Sequence, residues 1–151
     1  MLTDEWVCVL SADHDGVGDQ LTAHDLGALP WVVVEGGALH STSPITTPPA
    51  MRELALLGLE PKVDVVTGSF LAVPELVAGT GRIALLQRHL AERLHPALRL
   101  RALPCPVQIV PLRQAFWWHP AYDRDPGHAW LRRCLIAAAA EFSRGEGAPD
   151  R

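Results

Sequence analysis

The acidic segment Asp13–Asp19 (DHDGVGD) is the part of the sequence that most resembles a metal-binding loop. Its alternating aspartates and the glycine at the sixth position, Gly18, match the spacing of a calcium-binding loop. However, Val17 stands at the fifth position and His24 at the twelfth, where that loop needs an oxygen ligand and a bidentate glutamate. We therefore interpret the segment as a solvated turn, and the sequence predicts no bound metal.

Motifs for a nucleophile or a cofactor are incomplete in the rest of the chain. Ser69 lacks the G-x-S-x-G frame of a nucleophile elbow, and Gly79–Gly81 ends a helix before a strand, the reverse of a dinucleotide-binding turn. Cys8 lies within a predicted strand and Cys134 within a predicted helix, where small buried thiols are common. The seven histidines form no H-x-x-x-H or H-E-x-x-H pair. We therefore expect no catalytic residues, no cofactor and no enzymatic activity.

The segment from Thr67 to Val73 (TGSFLAV) is a better candidate for binding a small molecule. It follows a predicted strand, and open α/β sheets bind ligands at the carboxyl ends of their strands. The helix that follows would direct free N–H groups at a ligand, which favours an anion such as a carboxylate, and Phe70 would supply an apolar wall. The alternative is a capped helix with a phenylalanine in the core.

Tryptophans end a long extended segment near the carboxyl terminus. Trp117 and Trp118 are adjacent, so their side chains point to opposite faces, and we expect one to be buried and the other to face a different surface. Ordinary core packing accounts for at least one of them. His119, which precedes a proline, is interpreted as the polar end of a strand.

The elements that would position these residues alternate between strands and helices along the chain, which predicts an α/β fold with a largely parallel sheet. Helices are predicted from a Thr22 cap to Pro30, from Pro48 to Gly58, from Ser69 or Val73 to Gly79, from Gln87 to Leu94, and from Asp125 to about Phe142. Strands are predicted at Trp6–Leu10, Trp31–Val34, Lys62–Thr67, Arg82–Leu86 and Leu98–Leu103, followed by an extended segment at Val107–Trp118.

Composition excludes several functional classes. The 151 residues are 48% hydrophobic and 20% charged, with a formal net charge of −4, so the chain can build a core and carries no basic stripe for phosphate backbones. The three widely spaced cysteines argue against a disulfide framework or a structural zinc site and suit a reducing cytoplasm. The sequence begins without a signal-peptide pattern and has no apolar stretch long enough to span a bilayer.

The order of motifs resembles a known family. WVCVLSADHD and LTAHDLGALPWVVVEG are followed by VTGSFLAVPELVAGTGRIALLQRHLAERL and by LPCPVQIVPLRQAFWWHPAYDRDPGHAWLRRCL. From about Glu5 to Leu135 the chain resembles the effector-binding domain of LysR-type transcriptional regulators, especially the nodulation-regulator-like subgroup. Two positions depart from that pattern: Asp15 follows His14 where the family has proline, and Gln87 stands where proline is usual.

The resemblance implies a type-2 periplasmic-binding-protein-like α/β fold, with one complete lobe, two crossover strands and part of a second lobe. Residues 1–12 would form the crossover strand from lobe one, and residues 13–106 the second lobe. Residues 107–143 would form the return crossover strand and the C-terminal helix of lobe one, with a flexible tail at 144–151. The chain would lack the helix-turn-helix and the first half of lobe one.

The implied function is sensing of a small-molecule effector, an aromatic or carboxylate compound, by a cytoplasmic homodimer that makes no direct DNA or membrane contact through this chain. The expected ligand-binding residues are Glu35, Gly36, Gly68, Ser69, Phe70, Leu71 and Trp118. The alternative is a ligand-free interaction module that self-associates through uncovered apolar side chains of the crossover segments and the last helix. Its candidate residues are Trp6, Val7, Phe116, Trp130 and Leu131.

Overall fold

Five runs of aliphatic residues pair into one sheet. The computed structural model describes residues 2–35, 49–94 and 96–144. Contacts divide the chain into a larger unit, Asp4–Pro111, and a smaller unit, Met1–Thr3 with Leu112–Arg151. The sheet belongs to the larger unit, and its strands are β2 (Trp6–Ser11), β3 (Pro30–Val34), β4 (Lys62–Thr67), β5 (Ile83–Gln87) and β6 (Leu100–Pro104). Their order across the sheet is β4-β3-β5-β2-β6.

The sheet is mixed because one strand runs against the others. Strands β3, β4 and β5 are parallel, whereas β2 pairs antiparallel with both β5 and β6. Four of the five strands therefore run in the same direction, and the predicted α/β class is confirmed with this one reversal. The register pairs Val7 with Pro104, so the chain begins β2 beside the point where it ends β6.

The core of the larger unit lies on both faces of this sheet. Alternate residues of the central strands form one cluster with α3 (Val73–Val77). The alternating residues between them, including Cys8 and Trp31, point to the opposite face and are also fully buried. On that face the Trp31 indole Nε1 donates to the Leu26 carbonyl of α1 (Ala23–Ala28) at 2.8 Å, which satisfies its polar atom in the core.

The helices begin and end where the sequence supplies caps. The predicted Thr22 cap is part of a capping box with Asp25. The Asp25 N–H donates to the Thr22 Oγ1 at 3.3 Å, and the Thr22 N–H donates to the Asp25 carboxylate at 2.7 Å. The helix α2 (Pro49–Leu56) ends before Gly58, which adopts a φ of +74°, the left-handed conformation expected at a helix end. A four-residue helix, α4 (Arg88–Ala91), follows β5.

The predicted exposure of Trp6 and Val7 is wrong. Their exposed fractions are 8% and 2%, because β2 lies between β5 and β6 and both of its faces are covered. The structure groups Asp4–Ser11 with the larger unit, whereas the sequence-based division assigned residues 1–12 to a crossover strand.

The smaller unit contains a two-stranded sheet, apart from Asp4 at the end of one strand, and a long helix. Strand β1 (Leu2–Asp4) pairs with β7 (Leu112–Gln114), and α5 spans Pro126–Arg144. The Asp125 carboxylate accepts from the His128 N–H at 2.6 Å, which confirms the predicted helix start. Within the predicted extended segment Val107–Trp118, only Leu112–Gln114 is a strand. Across the ranges that the structure describes, no helix is long and apolar enough to cross a bilayer.

Candidate functional site

The carboxyl ends of the parallel strands β3 and β4 bring together most of the predicted binding residues. The Glu35 N–H, just after β3, donates to the Thr67 carbonyl at the end of β4 at 2.9 Å. Gly68 and Ser69 follow directly, and all three of these polar or small positions are exposed. We call Glu35 together with Gly68–Leu71 the strand-end cluster. Gly36, which was also predicted to bind a ligand, lies outside the described residues.

The turn at Ser69 resolves how the helix passes Pro74. Ser69 caps a single 3-10 turn, Phe70–Ala72, and the α-helix α3 begins only at Val73, so that Pro74 lies in its first turn. The Leu71 N–H donates to the Ser69 Oγ at 3.2 Å, and the Ala72 N–H donates to the Ser69 carbonyl at 3.2 Å. These donors are already engaged within the turn. The predicted set of N–H groups available to an anion is therefore smaller than the sequence suggested.

The two apolar side chains of the cluster have different environments. Phe70 is half-buried, packs against the core, and its ring centroid lies 6.2 Å from that of Trp6. Leu71 is 76% exposed. Phe70 therefore has the environment of the structural alternative, a core side chain beside a capped turn, whereas Leu71 is available to a ligand.

The void beneath this cluster is too small for an organic ligand. It is lined by eight side chains, among them Trp6, Val34 and Phe70, and measures about 10 Å³, roughly the space of one water molecule. A ligand at the strand-end cluster would therefore lie over the surface of the larger unit rather than inside it.

Trp118 belongs to the smaller unit, where it forms an aromatic group of its own. Its Nε1 donates to the Asp123 carboxylate at 2.8 Å, its ring stacks on Phe116 with a centroid distance of 6.0 Å, and the Arg132 guanidinium lies 4.8 Å from its ring centroid. Cation–π contact and stacking hold the Trp118 ring in place.

Sequence reasoning missed the groove beside this aromatic group. The groove has a volume of about 440 Å³. The helix α5 supplies Arg132, Leu135, Ile136 and Ala139 at the spacing i, i+3, i+4 and i+7, which is the signal in the sequence that could have revealed it. The other lining residues are Leu2, Gln114, Ala115, Phe116 and Trp118.

Thiol and carboxyl groups outside the strand-end cluster carry the shifted pKa values. Hydrogen bonds from the Thr22 hydroxyl and N–H lower the pKa of Asp25. The Cys8 thiol contacts the Cys105 thiol; this hydrogen bond and burial raise the pKa of Cys8, whereas the same contact lowers the pKa of Cys105 to about 7. No group of three or more metal-ligating side chains forms in the part of the chain that the structure describes.

Comparison with known proteins identifies the family. The LysR substrate binding domain family matches residues 1–140. The chain belongs to this family. Nodulation protein D 2 of Sinorhizobium fredii (strain NBRC 101917 / NGR234) is 28% identical over 145 residues, which are 95% of this chain and 44% of that protein. The HTH-type transcriptional regulator SyrM of Rhizobium meliloti (strain 1021) is 29% identical over 140 residues, covering 93% of this chain and 41% of that protein.

Solved structures show the same fold. The regulatory domain of MexT, a transcriptional activator in Pseudomonas aeruginosa, superposes on this LysR-family chain with a TM-score of 0.64 at 26% sequence identity. The match covers 89% of this chain and 63% of that domain. The relatives are transcriptional regulators, and this chain spans less than half the length of the curated ones it matches. The periplasmic-binding-protein-like α/β fold expected from the sequence is confirmed.

Proposed function

We propose that this chain senses a small-molecule effector and mediates dimerisation within a LysR-type transcriptional regulator, and that it is not an enzyme. The observation that carries the proposal is the convergence of Glu35, Gly68, Ser69 and Leu71 at the carboxyl ends of two adjacent parallel strands. Ligands of open α/β sheets bind at this edge. The protein would act in the cytoplasm, and DNA contact would fall to other parts of the regulator, since this chain has a net charge of −4.

The chemistry of the strand-end cluster suits a ligand with an apolar body and at least one polar oxygen. The Ser69 Oγ accepts from the Leu71 N–H and still carries a proton that it can donate to a ligand oxygen. The Leu71 side chain, which is exposed, would lose solvent contact beneath an aromatic ring. One hydrogen bond and one apolar contact favour modest affinity.

The charge of Glu35 limits how an aromatic carboxylate could bind. Glu35 is exposed, and its backbone N–H donates a hydrogen bond to the carbonyl of Thr67, which lies two residues before Ser69. An effector carboxylate placed beside Ser69 would be repelled by this side chain, whereas an effector hydroxyl could donate to it. We therefore expect the hydroxyl or carbonyl end of an aromatic effector to meet this edge, with any carboxylate directed away.

A titration with matched ligands tests the sensing function. Benzoate and benzyl alcohol are titrated separately into the 151-residue chain and followed by isothermal calorimetry and by chemical shifts. We expect saturable binding of one or both, a roughly tenfold loss for Leu71→Ala from lost burial, and tighter benzoate binding by Glu35→Gln. Leu56→Ala is the control, because Leu56 is 81% exposed, similar to Leu71, but lies on α2. Equal losses in both leucine variants, or no saturable response to either compound, would contradict the proposal.

A second function, self-association, is favoured by the apolar surface of the smaller unit. Phe116, Trp118, Leu135 and Ile136 are all exposed, and they line the 440 Å³ groove. We call these four residues the aromatic surface. Contiguous apolar patches of this kind commonly mark protein interfaces, and a second copy of the chain is the proposed occupant. Of the predicted interface residues, Phe116, Trp130 and Leu131 are exposed as this function requires.

Light scattering over a range of concentrations tests self-association. We expect the chain to dimerise and Ile136→Gln to weaken the dimer about tenfold, because Ile136 is 70% exposed and would be covered in the dimer. Leu56→Gln serves as the matched control on the larger unit. A monomer at high concentration, or equal weakening by both substitutions, would exclude the aromatic surface as the interface.

A further inference from the structure

Two cysteines far apart in the sequence meet at the end of the sheet. Cys8 is fully buried in β2, and the register with β6 pairs it with Leu103. Cys105 follows β6 directly, two residues beyond Leu103, and so lies on the same face of the sheet, diagonal to Cys8. Each thiol is the largest single influence on the pKa of the other, which places the two side chains side by side, and no disulfide joins them.

The environments of the two thiols differ in a way that suits stepwise oxidation. Cys105 is half-buried, and its sulfur accepts hydrogen bonds from the Cys8 thiol and the Val107 N–H, which lower its pKa to about 7. The neighbouring Cys105 sulfur and burial raise the pKa of Cys8. At neutral pH Cys105 is therefore the cysteine of the pair that supplies thiolate, the nucleophilic form, while Cys8 keeps its proton.

We propose that Cys8 and Cys105 form a reversible intramolecular disulfide, with a low-molecular-weight disulfide such as oxidised glutathione as the oxidant. The Cys105 thiolate attacks one sulfur of the oxidant and releases one glutathione thiolate, which is then protonated. Cys8 loses its proton and attacks the Cys105 sulfur of the mixed disulfide, and the second glutathione leaves. The cysteines lose two electrons and two protons, and oxidised glutathione becomes two molecules of glutathione.

The strand positions decide which cysteine moves. In a regular sheet the Cα atoms of diagonal neighbours are roughly 7–8 Å apart, beyond the usual span of a disulfide, so we expect the backbone to shift when the bond forms. Cys8 is fixed within β2 by pairing on both sides, whereas Cys105 lies beyond the last paired residue of β6, Pro104. Oxidation would therefore draw residues 105–111 toward β2, and these residues lead to the end of the larger unit at Pro111.

Oxidation with glutathione and mass spectrometry tests the bond. The variant Cys134→Ser is used as the parent, because Cys134 is exposed and would form adducts of its own. We expect both remaining thiols to be lost, the mass to fall by two hydrogen atoms, and peptides containing Cys8 and Cys105 to be linked. A persistent glutathione adduct on Cys105, a disulfide between two chains, or no reaction would overturn the proposal.

Two variants separate the roles of the thiols. Cys8→Ala, which replaces a small buried side chain without adding a polar group, should stop the reaction at a single glutathione adduct on Cys105. Cys105→Ser should leave Cys8 unreactive. In the unsubstituted chain at pH 7, iodoacetamide should alkylate Cys105 about ten times faster than Cys134, with a half-maximal rate near pH 7. Equal rates at the two cysteines would contradict the assigned order of attack.

Discussion

The two units of the chain differ in how they bury apolar side chains. All residues of the hydrophobic core, from Trp6 to Leu86, lie in the larger unit. In the smaller unit, none of the residues whose burial is described, 2–3 and 112–142, is buried. A folded unit needs a core of its own. The larger unit meets this condition, whereas the smaller unit presents apolar side chains that a partner segment or a second copy would cover.

The largest expected effect is the loss of a core side chain in the larger unit. Leu86 on β5 is fully buried, so Leu86→Ala should lower the free energy of unfolding by about 2–5 kcal/mol. Leu135→Ala on α5 removes the same atoms from an exposed site and should cost less than about 1 kcal/mol. Urea denaturation followed by circular dichroism measures both. Similar losses would mean that the two units are not as different as their burial indicates.

A smaller effect is expected when the chain is ended at Pro111. Because the smaller unit contributes no buried residue in the described ranges, the shortened chain should keep a cooperative urea transition and lose less stability than Leu86→Ala does. The far-ultraviolet spectrum should change only by the loss of α5 and of the β1–β7 pairing. A shortened chain without a cooperative transition would show that the larger unit depends on residues 112–151.

The capping box provides a test of local structure. Thr22→Ala should lower the free energy of unfolding by about 1 kcal/mol at pH 7, because it removes the side-chain cap of α1. The pKa of Asp25 is lowered in the folded state. The Asp25 carboxylate therefore stabilises the folded state above the unfolded pKa, about 3.9, and this stabilisation is lost as the pH falls through the folded pKa. The effect of Thr22→Ala should therefore shrink in acid. Asp19→Ala, in the preceding turn, is the control.

The smallest expected effect concerns the ion pair between Arg82 and Asp64. Its atoms are 2.6 Å apart but both side chains are partly exposed, so Asp64→Asn should cost about 0.2–1 kcal/mol. Arg82 also donates to the Leu76 carbonyl at 3.3 Å, and Arg82→Gln should therefore cost more than Asp64→Asn. In 1 M salt, the free energy of unfolding of Asp64→Asn should differ less from that of the unsubstituted chain. A loss of stability that does not change with salt would show that it comes from packing and not from the ion pair.

The sequence predicted elements whose signals are local. The Thr22–Asp25 capping box, the aliphatic strands and the Asp125 helix start each depend on neighbours within a few positions. The central place of β2 in the sheet could not be read locally, because a buried strand such as WVCVL fits a crossover segment as well as a central strand. That assignment required the pairing of β2 with β5 and β6.

The same limit applies to the candidate site. Features that follow from recognising the strands could be predicted, whereas features that depend on an exact turn or register could not. Glu35 lies beside Thr67, two residues before Ser69, because parallel strands end at one edge, a rule that applies once the strands are recognised. The sequence left open whether the helix starts at a Ser69 cap or at Val73, and the structure combines the two, because Ser69 caps a 3-10 turn that precedes α3. The contact of Cys8 with Cys105 required the exact register of β6, which periodicity cannot supply.

The pairing of Val7 with Pro104 has a consequence for how this fold can be rearranged. Because the sheet begins and ends at adjacent positions, a short glycine-rich linker could join Glu5 to Cys105 directly. New termini could then be opened in the turn after Gly58, giving a circular permutant with the same strand order. For the same reason, this sheet can be inserted into a loop of another protein. The two attachment points in that loop can stay close together, because the first and last residues of the sheet are neighbours.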